Sequence, residues 1–214
     1  MANLKSKIDS VITKALPHLF PHWSTLLKKD LAGCQTVLDL GCGPCSVLKS
    51  CGVPFSIGVD DYEPYLVESQ RNRIHTDYIK GDLRQLEITP KAFDAVILLA
   101  VLEHLDKEEA YDLMRKMEIW ARKKVILTTT NGFLGQDDCD GNSLQIHKSG
   151  WSVKDLERQG YKVNGMNGWK PLRGYRGQVR IKPVFWGNVI AETTQYLTYH
   201  IPELSFILYG VKEL

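Results

Sequence analysis

The sequence predicts an α/β fold built on a doubly wound, mostly parallel sheet, and three observations carry that reading. From Thr36 onward, short apolar runs of four to seven residues alternate with stretches of helical periodicity. The first run, T-V-L-D-L, stops abruptly at a loop containing Gly41, Gly43 and Pro44. The second, Phe55 to Val59, ends on Asp60-Asp61, which puts an acid at a strand tip nineteen residues beyond Gly41. An acid so placed in a βαβ unit can accept both hydroxyls of a ribose.

Composition sets the limits. A chain of 214 residues suits one domain, residues 1–214, with a sizeable core. Its net charge of +2 argues neither for nor against nucleic acid. No run approaches the roughly eighteen apolar residues of a membrane span, and Met1 to Ser10 has no signal-peptide pattern. The five cysteines are odd in number, and four crowd between Cys34 and Cys51, unlike a secreted disulfide framework. A cytoplasmic location is therefore expected. Neither a second C-x-x-C nor a histidine pair accompanies these cysteines, so no metal is expected.

Taken in order, the chain opens with Leu4, Ile8, Val11, Ile12, Ala15, Leu16 and Leu19 at helical spacing, opposite a basic face. Such a helix caps its own domain or contacts a membrane surface. A second short helix, Ser24 to Leu31, completes a cap over residues 1–32. The glycine loop after the first strand is expected to feed a helix, whose outward N–H groups a ligand can approach. Pro64 starts a helix through Gln70, and Asp77 to Lys80 is a third strand followed by Gly81-Asp82-Leu83. The fourth, Phe93 to Leu99, is continuously apolar, as in a sheet covered on both faces, and runs into Ala100-Val101-Leu102-Glu103-His104-Leu105.

Asp106 with Glu109 caps a helix through Trp120 that buries Ala110, Leu113, Met114 and Met117. Val125 to Thr129 is the fifth strand. Gly135 to Gly141 is a loop at its carboxyl end, where doubly wound folds place substrate sites. Ser152 with Asp155 caps a short helix that Gly160 ends, and Tyr161 to Met166 is the sixth strand. Asn167 to Lys182 is irregular, Val184 to Tyr199 helical, and Leu204 to Val211 is the seventh strand. Between Leu144 and Pro183 lie nine Lys or Arg, interleaved with Trp169 and Tyr175, a composition suited to phosphate or RNA.

The glycine loop admits three readings. A nicotinamide fingerprint starting at Gly41 would need its third glycine where Ser46 stands. Cys42-Gly43-Pro44-Cys45 spells the redox motif C-x-x-C, without the preceding Trp of a thioredoxin site. Asp39-Leu40-Gly41-Cys42-Gly43 resembles the first motif of the class I S-adenosylmethionine-dependent methyltransferases, with Cys45 at the position of a third glycine. Val101-Leu102-Glu103-His104-Leu105 resembles the segment after the fourth strand of the small-molecule members, similar to the ubiquinone-biosynthesis methyltransferases.

The resemblance implies a seven-stranded, Rossmann-like sheet whose last strand is antiparallel, with residues 33–135 as cofactor-binding half and 136–214 as substrate-side half. It implies S-adenosylmethionine held by Asp39, Gly41, Cys42, Gly43, Asp60, Asp82, Leu83 and Leu99. The reaction is in-line methyl transfer to a small-molecule acceptor. Where the acceptor is a hydroxyl, His104 and His147 are the candidate catalytic bases. Two alternatives stay open: an RNA methyltransferase using the basic 144–183 segment, and a non-catalytic or redox-sensitive cofactor-binding protein.

Overall fold

The structure is a computed structural model that describes residues 23–138, 141–174, 177–182 and 184–214, with the backbone alone for 184–186 and 188. The helix expected over Leu4 to Leu19, and Cys139, Tyr175 and Arg176, lie outside the described residues.

Seven strands form one sheet: β1 (Thr36–Leu40), β2 (Phe55–Asp60), β3 (Asp77–Lys80), β4 (Phe93–Leu99), β5 (Ala121–Thr130), β6 (Lys162–Trp169) and β7 (Ser205–Glu213). Their spatial order is 3-2-1-4-5-7-6, parallel throughout except that β7 runs antiparallel to both β5 and β6. The described helices are α1 (Trp23–Asp30), α2 (Glu63–Arg71), α3 (Lys107–Trp120), α4 (Val153–Arg158) and α5 (Val184–His200).

Strand periodicity sends alternate residues to opposite faces, and each face has its own apolar layer. On one, Leu38, Leu40, Val96, Leu98 and Leu127 meet Ala110, Leu113, Met114, Met117 and Trp120 of α3. On the other, Val37, Ala95, Ile97 and Ile126 pack with Leu27 of α1, Leu31 and Tyr209. Tyr209 also donates its hydroxyl to Asp30 Oδ2 at 2.7 Å, tying α1 to β7. A fully buried leucine such as Leu98 contributes about 1.5–3 kcal/mol relative to exposure. Both expected capping boxes form, Asp106 with Glu109 and Ser152 with Asp155.

Three elements depart from the sequence expectation. The glycine loop feeds a single 3₁₀ turn, Val47–Ser50, and not an α-helix. Cys51, Gly52 and Pro54 follow at once and β2 begins at Phe55, leaving no length for further turns. β5 begins at Ala121 instead of Val125: Lys124 pairs in register with Glu213, while Arg122 and Lys123 reach Asp94 at 3.2 and 3.3 Å. β6 continues past Met166 to Trp169. Gln195 of α5 takes the Gly168 N–H and donates to the Gly165 carbonyl, both at 2.9 Å, supplying partners for two backbone groups where the register is irregular.

The order reverses between β1 and β4, so the loops starting at Gly41 and Ala100 leave opposite sides of a crevice. A doubly wound sheet opens its ligand site at such a point.

Candidate functional site

Three cavities open at the carboxyl edge of the sheet. One of about 340 Å³ is bordered by Gly41, Gly43, Asp60, Asp82 and Leu83. A second, of about 250 Å³, has Asp39, Cys42, Ser46 and Leu99 in its wall. The third, of about 520 Å³, is lined by Glu103, His104, His147, Arg173, Arg180 and Phe206. Ala100 and Gln145 border all three. Ala100 has φ +55°, a left-handed conformation that non-glycine residues rarely adopt. Its N–H is held by the Thr128 carbonyl at 3.1 Å and the Thr128 hydroxyl at 2.9 Å, which keeps the turn in place beside the crevice.

The glycine loop is shaped by close approach. Gly41 has φ +65°, and a Cβ there would meet Val101 Cγ2 at 2.4 Å, so only glycine lets the two loops touch. Asp60 accepts the Gly43 N–H at Oδ2 and the Tyr62 N–H at Oδ1, both at 2.9 Å. Each oxygen has acceptor capacity left for a ligand hydroxyl. Burial raises its pKa above the ordinary aspartate value, against the lowering effect of those two N–H groups.

Asp39 serves the loop from beneath. Its side chain is buried, and Oδ2 takes the Ser46 hydroxyl at 2.6 Å and His75 Nε2 at 2.9 Å. Cys42 lies beside the same imidazole; its N–H bonds the Val59 carbonyl at 2.9 Å, and burial pushes its thiol pKa far up. A thiol so held is a poor redox nucleophile. Asp82 carries a forked contact from Arg84, with Nη2 2.7 Å from Oδ2, and Arg84 continues to Glu109 at 3.0 Å. The guanidinium lowers the Asp82 pKa, chiefly through that hydrogen bond. Leu83 is buried beneath the same cavity.

His104 and His147 come together, with ring centroids 4.8 Å apart and edge to face. His104 Nδ1 bonds the Ile146 carbonyl at 3.2 Å and His147 Nδ1 the Leu134 carbonyl at 2.6 Å. Burial pushes His104 down to about 4 and lowers His147 as well, so both rings are neutral at neutral pH. Glu103 sets their spacing. Its backbone carbonyl accepts the Lys148 and Ser149 N–H groups at 2.8 and 3.1 Å, clamping the His147 segment against the turn after β4. Its carboxylate takes the Thr129 hydroxyl at 2.8 Å, and burial raises its pKa to about 7.

The basic segment is dispersed in the folded protein. Lys148 borders the 340 Å³ cavity. Arg173 is spent on the Asn167 and Gly177 carbonyls and on Glu192, and Lys170 bonds the Asn131 carbonyl. Sequence reasoning missed His75, Arg84, Ala100, Glu103 and Gln145. For His75 a signal existed: Gly58 interrupts an apolar strand, and a glycine there marks the close approach of another group. A Cβ on Gly58 would meet His75 Nδ1 at 2.8 Å.

Residues 38–127 match the family model described as a methyltransferase domain. The fold is similar to that of a SAM-dependent methyltransferase from Archaeoglobus fulgidus, with a TM-score of 0.56 and 19% identity over 92% of this chain and 97% of that one. Over residues 38–127 the sequence is thus that of a methyltransferase domain, in a fold shared with S-adenosylmethionine-dependent methyltransferases. Two further methyltransferases share the fold. One, from Mesorhizobium loti, has a TM-score of 0.56 and 14% identity over 95% of this chain and 97% of that one. The other, magnesium protoporphyrin IX methyltransferase from Synechocystis with bound SAM, has a TM-score of 0.51 and 18% identity over 98% and 81%. No curated protein matches the sequence. Among the described residues, no helix is long and apolar enough to cross a membrane.

Proposed function

We propose that the enzyme methylates a small hydroxyl-bearing acceptor bound in the 520 Å³ cavity, with S-adenosylmethionine spanning the other two. The observation carrying this reading is that Ala100 and Gln145 border all three cavities, so cofactor and acceptor spaces meet at one point. The donor set suits the cofactor: Asp60 for the ribose, Asp82 and Leu83 for the adenine, and the Gly41–Gly43 turn with Cys42 and Leu99 for the methionine end. Asp39 acts through Ser46, holding the loop in shape. Residues 33–135 form the cofactor side and 136–214 most of the acceptor side.

S-adenosylmethionine supplies an activated methyl group on a sulfonium, which leaves the protein chiefly to position the nucleophile and manage its proton. The acceptor's oxygen approaches past Ala100. His104 and His147, both neutral and at the cavity wall, are placed to receive the hydroxyl proton. A cavity of about 520 Å³ falls within the range of small-molecule sites. That size, and the internal use of Lys170 and Arg173, favour a small acceptor over RNA. The four free cysteines among the described residues suit a reducing compartment such as the cytoplasm.

The test is titration of S-adenosylhomocysteine into the reduced protein, followed by a screen of hydroxylated small molecules and RNA for methyl acceptance. Saturable binding with methylation confined to RNA would overturn the small-molecule reading; absence of binding would overturn the cofactor assignment.

A further inference from the structure

Glu103, His104 and His147 gather three metal-ligating groups where the sequence led us to expect no metal. One nitrogen of each ring and one carboxylate oxygen lie within 4.8 Å of one another. We propose that these three side chains bind a divalent transition-metal cation of the zinc type, whose remaining coordination positions face the acceptor cavity.

The chemistry of the donor set supports this. Two imidazoles and one carboxylate, with a position left for water or substrate, is a recurrent catalytic zinc arrangement. The histidines are already oriented as metal ligands are. A carbonyl can only accept, so the bonds to Ile146 and Leu134 put each ring proton on Nδ1 and leave each Nε2 with its lone pair. The carboxylate is braced in the same way by the Thr129 hydroxyl at 2.8 Å, both residues being buried. All three ligands border the 520 Å³ cavity, so an acceptor and the cation would share one space.

Ligands on a tetrahedral zinc with bonds near 2.1 Å stand roughly 3.4 Å apart, closer than the present limit of 4.8 Å. Binding therefore draws the trio inward by small side-chain rotations. A cation here would acidify a hydroxyl bound beside it, and with both Nε2 lone pairs held by the metal the released proton would pass to solvent. That purpose rests on the methyl-transfer reading; metal binding itself does not.

The experiment is calorimetric titration of zinc ion into the full-length, reduced protein without cofactor, repeated with cobalt(II) to follow its visible absorption. We expect one equivalent bound, with no thiolate charge-transfer band. Thr129→Val, which removes only the bracing hydroxyl, should weaken zinc about 10–100-fold. His147→Ala and Glu103→Gln should weaken it further, and S-adenosylhomocysteine affinity, measured on each variant, reports whether it has folded. Failure to bind one equivalent, affinity equal in all three variants, or loss of binding in Cys45→Ser would overturn the proposal. Zinc failing to bind while S-adenosylhomocysteine binds normally defeats this inference alone. The reverse result defeats the cofactor reading and leaves the metal site standing.

Discussion

His75 Nε2 lies 2.9 Å from Asp39 Oδ2, with both side chains sealed from solvent, and the same carboxylate oxygen takes the Ser46 hydroxyl at 2.6 Å. The acid at the end of β1 thus holds the far side of the glycine loop, while Asp60 holds its near side through the Gly43 N–H. A ligand in the crevice meets a loop already fixed at two points.

Removing the imidazole leaves a buried carboxylate one partner short, which costs about 1.5–3 kcal/mol for a hydrogen bond to a charged group. His75→Phe is expected to lower the unfolding free energy by that amount, read as a lower urea midpoint at unchanged m-value. Gly58→Ala should act through the same contact, because its Cβ would meet His75 Nδ1 at 2.8 Å and Cys42 Sγ at 3.0 Å. Overpacking of this kind costs about 1–3 kcal/mol. Combined with His75→Ala, which leaves no ring for the added methyl to displace, Gly58→Ala should cost less than it does in the wild type, so the pair should be less than additive. Full additivity would sink the idea that both act on one contact.

Asp60 ties both stability and binding to pH. Burial raises its carboxyl above the ordinary value, so the folded protein holds this proton at a pH where the unfolded chain has released it. Ionisation therefore costs stability as pH rises from the unfolded value through the folded one. Asp60→Asn relieves the buried charge but has one acceptor oxygen for the Gly43 and Tyr62 N–H groups, so one of them loses its partner and the melting temperature at neutral pH should fall modestly. The substitution should also weaken S-adenosylhomocysteine at least about tenfold, the equivalent of roughly 1.4 kcal/mol, by removing one charged acceptor. On acidification the wild type should lose affinity earlier than an unperturbed aspartate would predict, and the variant should not show that step. Calorimetry across pH checks both.

The strands, both capping boxes and the position of Asp60 were legible because each is written in a few consecutive residues: short apolar runs bounded by turn residues, an acid three residues after a cap, an acid at a strand tip. His75 was not, because its meaning depends on Asp39, thirty-six residues away, and on a gap left by Gly58. The helix expected after the glycine loop failed for lack of chain before Pro54. Glu103 was read only as part of a motif. Its function as a clamp is carried by its backbone carbonyl, which no side-chain pattern reports.

The proposed adenine contact makes Asp82 and Arg84 a test of base selectivity. Asp82 is kept ionised by the arginine, whose hydrogen bond is the largest influence lowering its pKa. An ionised carboxylate accepts from an adenine amino group and repels the oxygen of the corresponding inosine base. The wild type should therefore prefer S-adenosylhomocysteine to its inosine counterpart, and Asp82→Asn should shrink that preference, because an amide both donates and accepts. Arg84 is substantially exposed, so Arg84→Ala should change stability by less than about 1 kcal/mol. Equal affinities for the two nucleosides in the wild type would remove Asp82 from base recognition.

The C-x-x-C spelling makes a separate prediction. Cys42 is buried with its thiol pKa raised, first by desolvation and then by the neighbouring Asp39 and Asp60 charges, whereas Cys45 is exposed. A thiol alkylating reagent reacts with thiolate, so brief labelling of the native protein should modify Cys45 and spare Cys42. Fragment mass spectrometry of the peptide that carries both can tell them apart. If the pair were a redox couple, labelling would reach Cys42, and mild oxidation would protect both and change cofactor affinity. We expect neither: oxidised and reduced protein should bind S-adenosylhomocysteine equally, because Cys42 meets the loop through its N–H bond to Val59 and through packing, with its sulfur turned toward Gly58 and His75.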